Sequence, residues 1–280
     1  MPTERDLKSK IESQQDEIIR QKQEMTDSIQ YASLIQSALL PPLDYLDRLL
    51  PQNFILFKPK DIVSGDFYWF HKKKNFMIIV AADCTGHGVP GAFMSILGLS
   101  FLNEIVNKIK TVKASSLLNQ LRENVMKALR QTGEEEGQKD GMDIALCVID
   151  SQANELQFSG ANNPLYLIRN GQLSQTKGDR MPIGIDAIEE KAFFNNKISY
   201  NKNDCIYMFS DGFPDQFGGP AGKKYKYKPF KQLLTEIHKK PMSEQKKVLD
   251  NEIENWKAFP DFNDQPYEQV DDILVIGIRL

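Results

Sequence analysis

Residues 80–93 read VAADCTGHGVPGAF: an apolar, strand-like run breaks on Asp83 and then turns through Gly86, Gly88 and Gly91. The glycines have the G-x-G-x-x-G spacing of a dinucleotide cradle. Such a cradle needs the following helix to return into a parallel strand, with an acidic residue about twenty positions on. Here a helical pattern at 91–110 runs directly into a second at 114–131, and Thr111-Val112-Lys113 stands where the acid belongs. Asp83 would also repel a pyrophosphate unless a cation lay between them. No Gly-Lys-Ser/Thr follows, which excludes a Walker-type phosphate loop. The glycine turn serves Asp83, not a nucleotide.

Working outward, strand-like runs fall at 54–57, 67–70, 76–82, 144–149, 156–158, 165–168, 192–198, 204–209 and 273–278. Hairpin-like turns such as Gln152-Ala153-Asn154 and Asn170-Gly171 separate several of them. A second helical pair is expected at about 230–239 and 243–256. Strands, two helices, many strands, two helices and a last strand are not the alternation of a parallel sheet. This order predicts an α+β fold with antiparallel sheets and helices packed outside them. The Gly- and Glu-rich stretch 132–140 reads as a mobile surface connection.

The N-terminus has another texture. Residues 4–40 hold no glycine and stop at Pro41-Pro42, as a helix should. Ile11, Ile18, Met25, Ala32 and Leu39 recur every seventh position, whereas the companion positions Gln15, Lys22 and Gln36 are polar and only Ile29 is apolar. This is a weak coiled-coil signal. It suits either a homodimer or packing on the chain's own domain through Tyr31, Leu34, Ile35 and Leu39. The division expected is a helix or linker at 1–42 and a folded domain at 50–280.

The 280 residues carry a net charge of −3, so no global field favours nucleic acid. The longest apolar run, 76–82, is too short to span a bilayer, and the polar start is no signal peptide. A cytoplasmic protein without membrane insertion is the expectation. Cys84, Cys147 and Cys205 are widely spaced, form no CxxC pair and read as buried reduced thiols. The Lys-rich stretch 222–231, GKKYKYKPFK, reads as a solvated flap rather than a nucleic-acid patch.

A strand-end aspartate before a tight turn offers carboxylate and backbone oxygens to one spot, as hard divalent cations require. Three further places share that pattern: Asp66 in Ser64-Gly65-Asp66-Phe67, Asp211 in Phe209-Ser210-Asp211-Gly212, and Asp271-Asp272 before Ile273. Brought together without a cation, these carboxylates would raise one another's pKa. Asp143, in Gly141-Met142-Asp143-Ile144, either reaches the same edge or is a solvated strand start.

Gly65-Asp66-Phe67-Tyr68, Asp83-Cys84-Thr85-Gly86-His87-Gly88, Ser210-Asp211-Gly212 and Asp271-Asp272-Ile273 together resemble the SpoIIE-type bacterial protein phosphatases. These belong to the metal-dependent, type 2C-like serine/threonine phosphatases. Residues 158–166, FSGANNPLY, are similar to that family's Gly-x-x-x-Pro-Leu hairpin. The resemblance covers about 54–280. It implies an αββα sandwich of two antiparallel sheets flanked by helix pairs, preceded here by the long helix. It also implies two Mn²⁺ or Mg²⁺ ions at one edge. Asp83 would bridge them, the Cys84 backbone carbonyl would bind one, Asp211 and Asp271 would complete a shell, and Asp66 would act near the second ion. Asp272 would support.

The implied reaction is hydrolysis of phosphoserine or phosphothreonine on a regulatory protein, such as an anti-sigma-factor antagonist, by a metal-activated water. No side chain serves as nucleophile. Thr85 stands where the eukaryotic branch has a histidine, so His87, inside the glycine turn with Gly86 and Gly88, reads as structural. Asp61 replaces a phosphate-binding arginine, which leaves phosphate capture to the metals or to Lys60. Ala161 replaces an aspartate that binds a third ion in some relatives. A sensor domain or partner would act through the N-terminal helix, whose residues 28–39 are expected to pack near Gly91, Ser95 and Gly98. The rival readings are a catalytically dead scaffold that dimerises through that helix and an unrelated two-metal phosphodiesterase.

Overall fold

The computed structural model describes residues 4–132, 139–185, 191–261 and 264–280. Most of the 132–140 connection therefore lies outside the described residues. Helix α1 runs over Glu4–Leu39, free of helix breakers until the two prolines, and a short α2 covers Leu43–Leu49. Strands β1 (Asn53–Lys58), β2 (Phe67–Lys73) and β3 (Phe76–Cys84) follow, then α3 (Gly88–Lys108) and α4 (Ala114–Ala128). Next come β4 (Met142–Asp150), β5 (Glu155–Ala161), β6 (Leu165–Arg169), β7 (Gln172–Thr176), β8 (Asn196–Ser199) and β9 (Cys205–Phe209). After a short α5 (Gly212–Asp215) come β10 (Phe217–Gly218), β11 (Lys223–Lys224), α6 (Tyr227–Ile237), α7 (Met242–Lys257) and β12 (Ile273–Arg279).

Two five-stranded antiparallel sheets form, in the orders β2-β3-β4-β5-β8 and β1-β12-β9-β6-β7. Ile79, Ala81, Cys147 and Phe158 of the first sheet meet Met208, Leu274 and Ile276 of the second in one buried layer. Alternate residues of the same strands face outward, so Ile78, Val80, Ile144 and Leu146 pack under Leu99, Leu102, Leu118 and Leu121 of α3 and α4. On the other side Tyr207, Phe209 and Val275 pack under Phe230, Leu234, Leu249 and Ile253 of α6 and α7. The helix-sheet-sheet-helix sandwich is present. Each such large apolar side chain contributes about 1.5–3 kcal/mol by burial. Helix α3 is long and apolar enough to cross a membrane by length and composition, but half of it is buried against α4 and the sheet.

Two expectations need correction, and one strand was not expected at all. Residues 192–195 are not strand: the Phe193 N–H donates to Asn119 Oδ1 and the Phe194 N–H to Asp179 Oδ2, which leaves only Asn196–Ser199 to pair with β5. The polar edge strand β7 has no hydrophobic alternation to announce it. Finally, α1 does not pack inward through Tyr31, Leu34 and Ile35, which are exposed. Its inward face is the narrower stripe Ile29, Ala32, Ser33, Gln36 and Leu39. Gln36 is 6% exposed: its side-chain amide donates to Ser64 O (2.6 Å) and Ser95 Oγ (2.7 Å), and its Oε1 accepts from Ser64 N (3.1 Å). Of the small residues expected beneath α1, Ser95 meets Gln36, whereas Gly91 packs on Gly86 and Gly65, and Gly98 on Phe67 and Met142.

Candidate active site

Register brings the acids to one end of the sandwich. Asp83 on β3 lies directly opposite Asp143 on β4, so both side chains leave the same face as neighbours. Phe67 pairs with Ala82, which sets Asp66, one residue before β2, beside the end of β3. Strands β9 and β12 pair through Phe209 and Val275, and beyond them Ser210 N donates to Leu274 O while Leu274 N donates to Ser210 Oγ, both at 3.0 Å. That clasp holds Asp211 and Asp271 side by side. Asp83, Asp143, Asp211 and Asp271 line a cleft of about 320 Å³, together with Cys84, Gly86 and His87. Asp66 is buried, 2% exposed. A cleft of about 310 Å³ beside Asn119, Arg122 and Glu123 gathers no such set of acids.

Burial is the largest influence on every one of these carboxyls, and mutual repulsion adds to it. Asp83 is pushed up to about 8 by burial and then by Asp211, Asp271 and Asp143; the Asp211 backbone N–H opposes this. Asp211 is pushed up to about 6 by burial, Asp215, Asp271 and Asp143. Burial, then Asp83, raises Asp66 well above the carboxylate range, against the Ser210 hydroxyl. Asp143 and Asp271 are raised too, chiefly by burial; Asn162 eases the first, and the Asp272 N–H, His87 and Lys60 ease the second. No arginine or lysine pairs with Asp66, Asp83, Asp143 or Asp271 among the described residues.

Does this set suit a divalent cation? As they stand, no three His, Cys, Asp or Glu side chains among the described residues are drawn together closely enough to hold one. The donor chemistry nevertheless fits. Asp66 Oδ2 is buried without a hydrogen-bond partner, which is costly for an acceptor unless something else satisfies it. The acids around it are all-oxygen donors in need of positive charge, the preference of Mg²⁺ and Mn²⁺. The Cys84 thiol is buried and its pKa raised by burial and by Asp83, so it is neither nucleophile nor thiolate ligand. That leaves its carbonyl as the one available donor.

The other expected residues divide between the cleft and its supports. Asp272 is committed to backbone donors: its Oδ1 accepts from Lys60 N (2.7 Å), and its Oδ2 from Gly65 N (2.7 Å) and Asp66 N (3.4 Å). It braces the loop that carries Asp66. Gly86 takes a left-handed φ of +80°, and a Cβ on Gly91 would come within 2.2 Å of Gly86 O and 2.8 Å of Gly65 Cα. The glycine pattern thus packs the Asp83 turn against the Asp66 loop. Thr85 ties this turn to Gly141 through its backbone N–H (3.0 Å) and its hydroxyl. Gly88 opens α3.

At the rim, Lys60 Nζ is 2.9 Å from His87 Nε2, and His87 Nδ1 is 2.8 Å from Asp61 Oδ2. An ammonium has only donors, so Nε2 accepts and Nδ1 donates to Asp61. His87 is therefore held in place by side chains on the preceding loop. Sequence reasoning missed three supports: Gln36, Asp61, and Arg122, whose guanidinium donates to Gly184 O (3.0 Å) and Met181 Sδ (3.3 Å) behind the wall containing Pro182.

The profile of Stage II sporulation protein E (SpoIIE) matches residues 73–280, about three quarters of the chain. The chain belongs to the SpoIIE family. The matched span begins after Asp66, yet the fold carries that residue to the same edge. The SiaA-PP2C domain of Pseudomonas aeruginosa superposes with a TM-score of 0.81 at 28% identity, covering 92% of this chain and 98% of that one. The PP2C phosphatase domain of SpoIIE from Bacillus subtilis, with a fragment of its regulatory domain, gives 0.65 at 19% identity, over 82% and 63%. The RsbU and RsbW domains of Rv1364c from Mycobacterium tuberculosis give 0.60 at 19%, over 82% and 60%. The last two likenesses are of fold. No curated protein matches the chain. The SpoIIE-family chain thus has a PP2C-type serine/threonine phosphatase fold.

Proposed function

We propose that this SpoIIE-family chain is a divalent-metal-dependent phosphatase of phosphoserine or phosphothreonine on a signalling protein, its phosphatase unit lying at 50–280. The observation that carries the proposal is the buried, unpartnered Asp66 Oδ2 amid Asp83, Asp211 and Asp271, acids whose pKa values burial and repulsion raise. Asp66, Asp83, Asp211, Asp271 and the Cys84 carbonyl would hold two Mn²⁺ or Mg²⁺ ions, with Asp143 at the rim. Bound there, the ions would supply an acidified water and positive charge for the phosphoryl oxygens. The chain's own part is to fix these oxygens. Asp272 and Gln36 hold the Asp66 loop, the Ser210–Leu274 clasp holds Asp211, and the Gly86 turn holds Asp83. Lys60 and His87 stand at the mouth, where Lys60 adds positive charge for an incoming phosphate.

Similar folds occur in the RsbU and RsbW domains of Rv1364c and in a bacterial stressosome; they support a phosphoprotein of that regulatory kind as substrate. Exposed Ile11, Ile18 and Met25 on α1 support a partner, a sensor domain or a second copy acting through that helix. The test is turnover of p-nitrophenyl phosphate and of a phosphoserine peptide with and without Mn²⁺ or Mg²⁺. Turnover is expected only with the ion, and Asp83→Asn is expected to reduce it about a hundredfold or more. Ion-independent hydrolysis, or an active Asp83→Asn protein, rules the proposal out.

A further inference from the structure

The Lys-rich stretch after α5 is neither disordered charge nor part of the acidic centre. Its backbone is pinned: Tyr225 is buried, its N–H donates to Gln216 O (2.9 Å), and its hydroxyl meets Glu252 Oε1 (3.0 Å). The Tyr225 ring packs edge-on to Phe213 and Trp256, at centroid distances of 5.3 and 5.0 Å. One residue on, Lys226 N donates to Pro214 O (2.6 Å) from a left-handed φ of +74°. The turn therefore presents Lys223, Lys224, Lys226 and Lys228 outward, all of them exposed.

It does so beside the acids. Lys224 Nζ pairs with Asp215 Oδ2 at 2.7 Å, and Asp215 N donates to Asp211 O at 2.9 Å, one helical turn from the cleft. The Tyr227 hydroxyl is pushed up to about 12 by partial burial and then by Asp211, Asp215, Asp83 and Asp143, so this side chain feels part of the acidic edge. Lys224 is committed to Asp215. Lys223, Lys226 and Lys228 form no ion pair among the described residues.

We infer that Lys223, Lys226 and Lys228 form a docking strip for acidic side chains flanking the phosphorylated residue of the substrate protein. The inference rests on the phosphatase reading for its substrate, and adds what that substrate must present. A phosphorylated side chain seated in the cleft brings residues within about four positions of it over the cleft's rim, at roughly 3.5 Å each. Carboxylates there meet three uncommitted ammonium groups. Rim charges of this kind act on encounter and on salt dependence more than on chemistry. A short strip in a chain of net charge −3 is too small for the extended phosphate tracking that nucleic acid needs.

The experiment measures, by fluorescence anisotropy, binding of labelled phosphoserine peptides with acidic, neutral or basic flanks, and hydrolysis of the same peptides and of p-nitrophenyl phosphate with Mn²⁺. Acidic flanks are expected to tighten binding and lower KM about tenfold at low salt, a preference that vanishes at roughly 0.5 M salt. The triple variant Lys223→Glu, Lys226→Glu, Lys228→Glu is expected to invert it. Its p-nitrophenyl phosphate rate, taken in parallel, separates damage at the metal centre from loss of docking. Equal binding of all three peptides, or an unchanged preference in the triple variant, overturns the strip even if hydrolysis proceeds. Flank-dependent binding without any hydrolysis supports the strip and removes the phosphatase reading. Displacement of the acidic peptide by short single-stranded DNA at equal concentration overturns the assignment to a protein ligand.

Discussion

Two buried polar clusters meet at the loop before β2, and they are opposites. Around Asp272 and Gln36 the buried backbone groups find partners: Asp272 accepts three backbone N–H groups, Gln36 both donates and accepts, and the Ser64 hydroxyl is the one buried side-chain atom there left without a partner. Two residues away, Asp66 has a buried oxygen with no partner, and its neighbours Asp83, Asp211 and Asp271 raise one another's pKa. Satisfied burial is what a scaffold needs. Unsatisfied burial of like charges is a cost that only a ligand of opposite charge removes. The contrast separates the residues that build the edge from those that wait for something at it.

The largest effect should come from breaking the satisfied side. Asp272→Ala leaves the Lys60, Gly65 and Asp66 N–H groups without their anionic acceptor in a buried loop. The expected loss is about 3 kcal/mol of stability, or near 9 °C in Tm for a chain of this size. Chemical denaturation measures it, and Asp272→Asn should recover part. A loss under about 1 kcal/mol would mean that Asp272 is not the brace described.

The unsatisfied side should respond to pH in the opposite sense from an ordinary ion-paired acid. A carboxyl whose folded pKa is raised binds its proton more tightly in the folded chain than in the unfolded one. Its contribution is fully present below the unfolded value of about 4 and is lost as pH climbs through the folded value. For Asp211 and Asp83 those folded values are about 6 and about 8. The metal-free protein should therefore lose several degrees of Tm between pH 5 and about 8. Mn²⁺ should restore them, more so at the alkaline end, because the cation replaces the proton. Asp83→Asn should flatten both trends. A metal-free Tm that rises over this range would contradict the repulsion argued for the cluster.

Much of this contrast was legible in sequence, though not evenly. Asp66, Asp83, Asp211 and Asp271 announce themselves because each ends or begins an apolar run beside small residues, a local pattern that needs no tertiary knowledge. Asp143 stayed ambiguous until register set it opposite Asp83. The supports were harder. Gln36 occupies a seam position of a poor heptad and reads as a polar interruption; its partners Ser64 and Ser95 lie 28 and 59 positions away. Asp61 marks an absent arginine in sequence, whereas in space it anchors His87 across 26 positions. Apolar alternation reveals a strand's buried face, which is why β3, β4 and β9 were readable and the polar β7 was not. Hydrogen bonds between side chain and distant backbone leave no period behind.

The smallest expected effect tests whether the satisfied cluster reaches the unsatisfied one. Gln36→Leu keeps the helical propensity and much of the volume, but strands Ser64 N–H and Ser64 O in a buried contact. The expected cost is about 1–2 kcal/mol, and Ser37→Ala, on the exposed side of the same turn, is expected to cost nothing measurable. Ser64 stands two residues from Asp66, so loosening it should also broaden the positions open to that carboxylate. The Mn²⁺-induced rise in Tm should shrink in Gln36→Leu while that of Ser37→Ala matches the parent chain. If stability falls but the Mn²⁺ increment is untouched, Gln36 merely holds α1 on α3, and the two clusters are neighbours without being coupled.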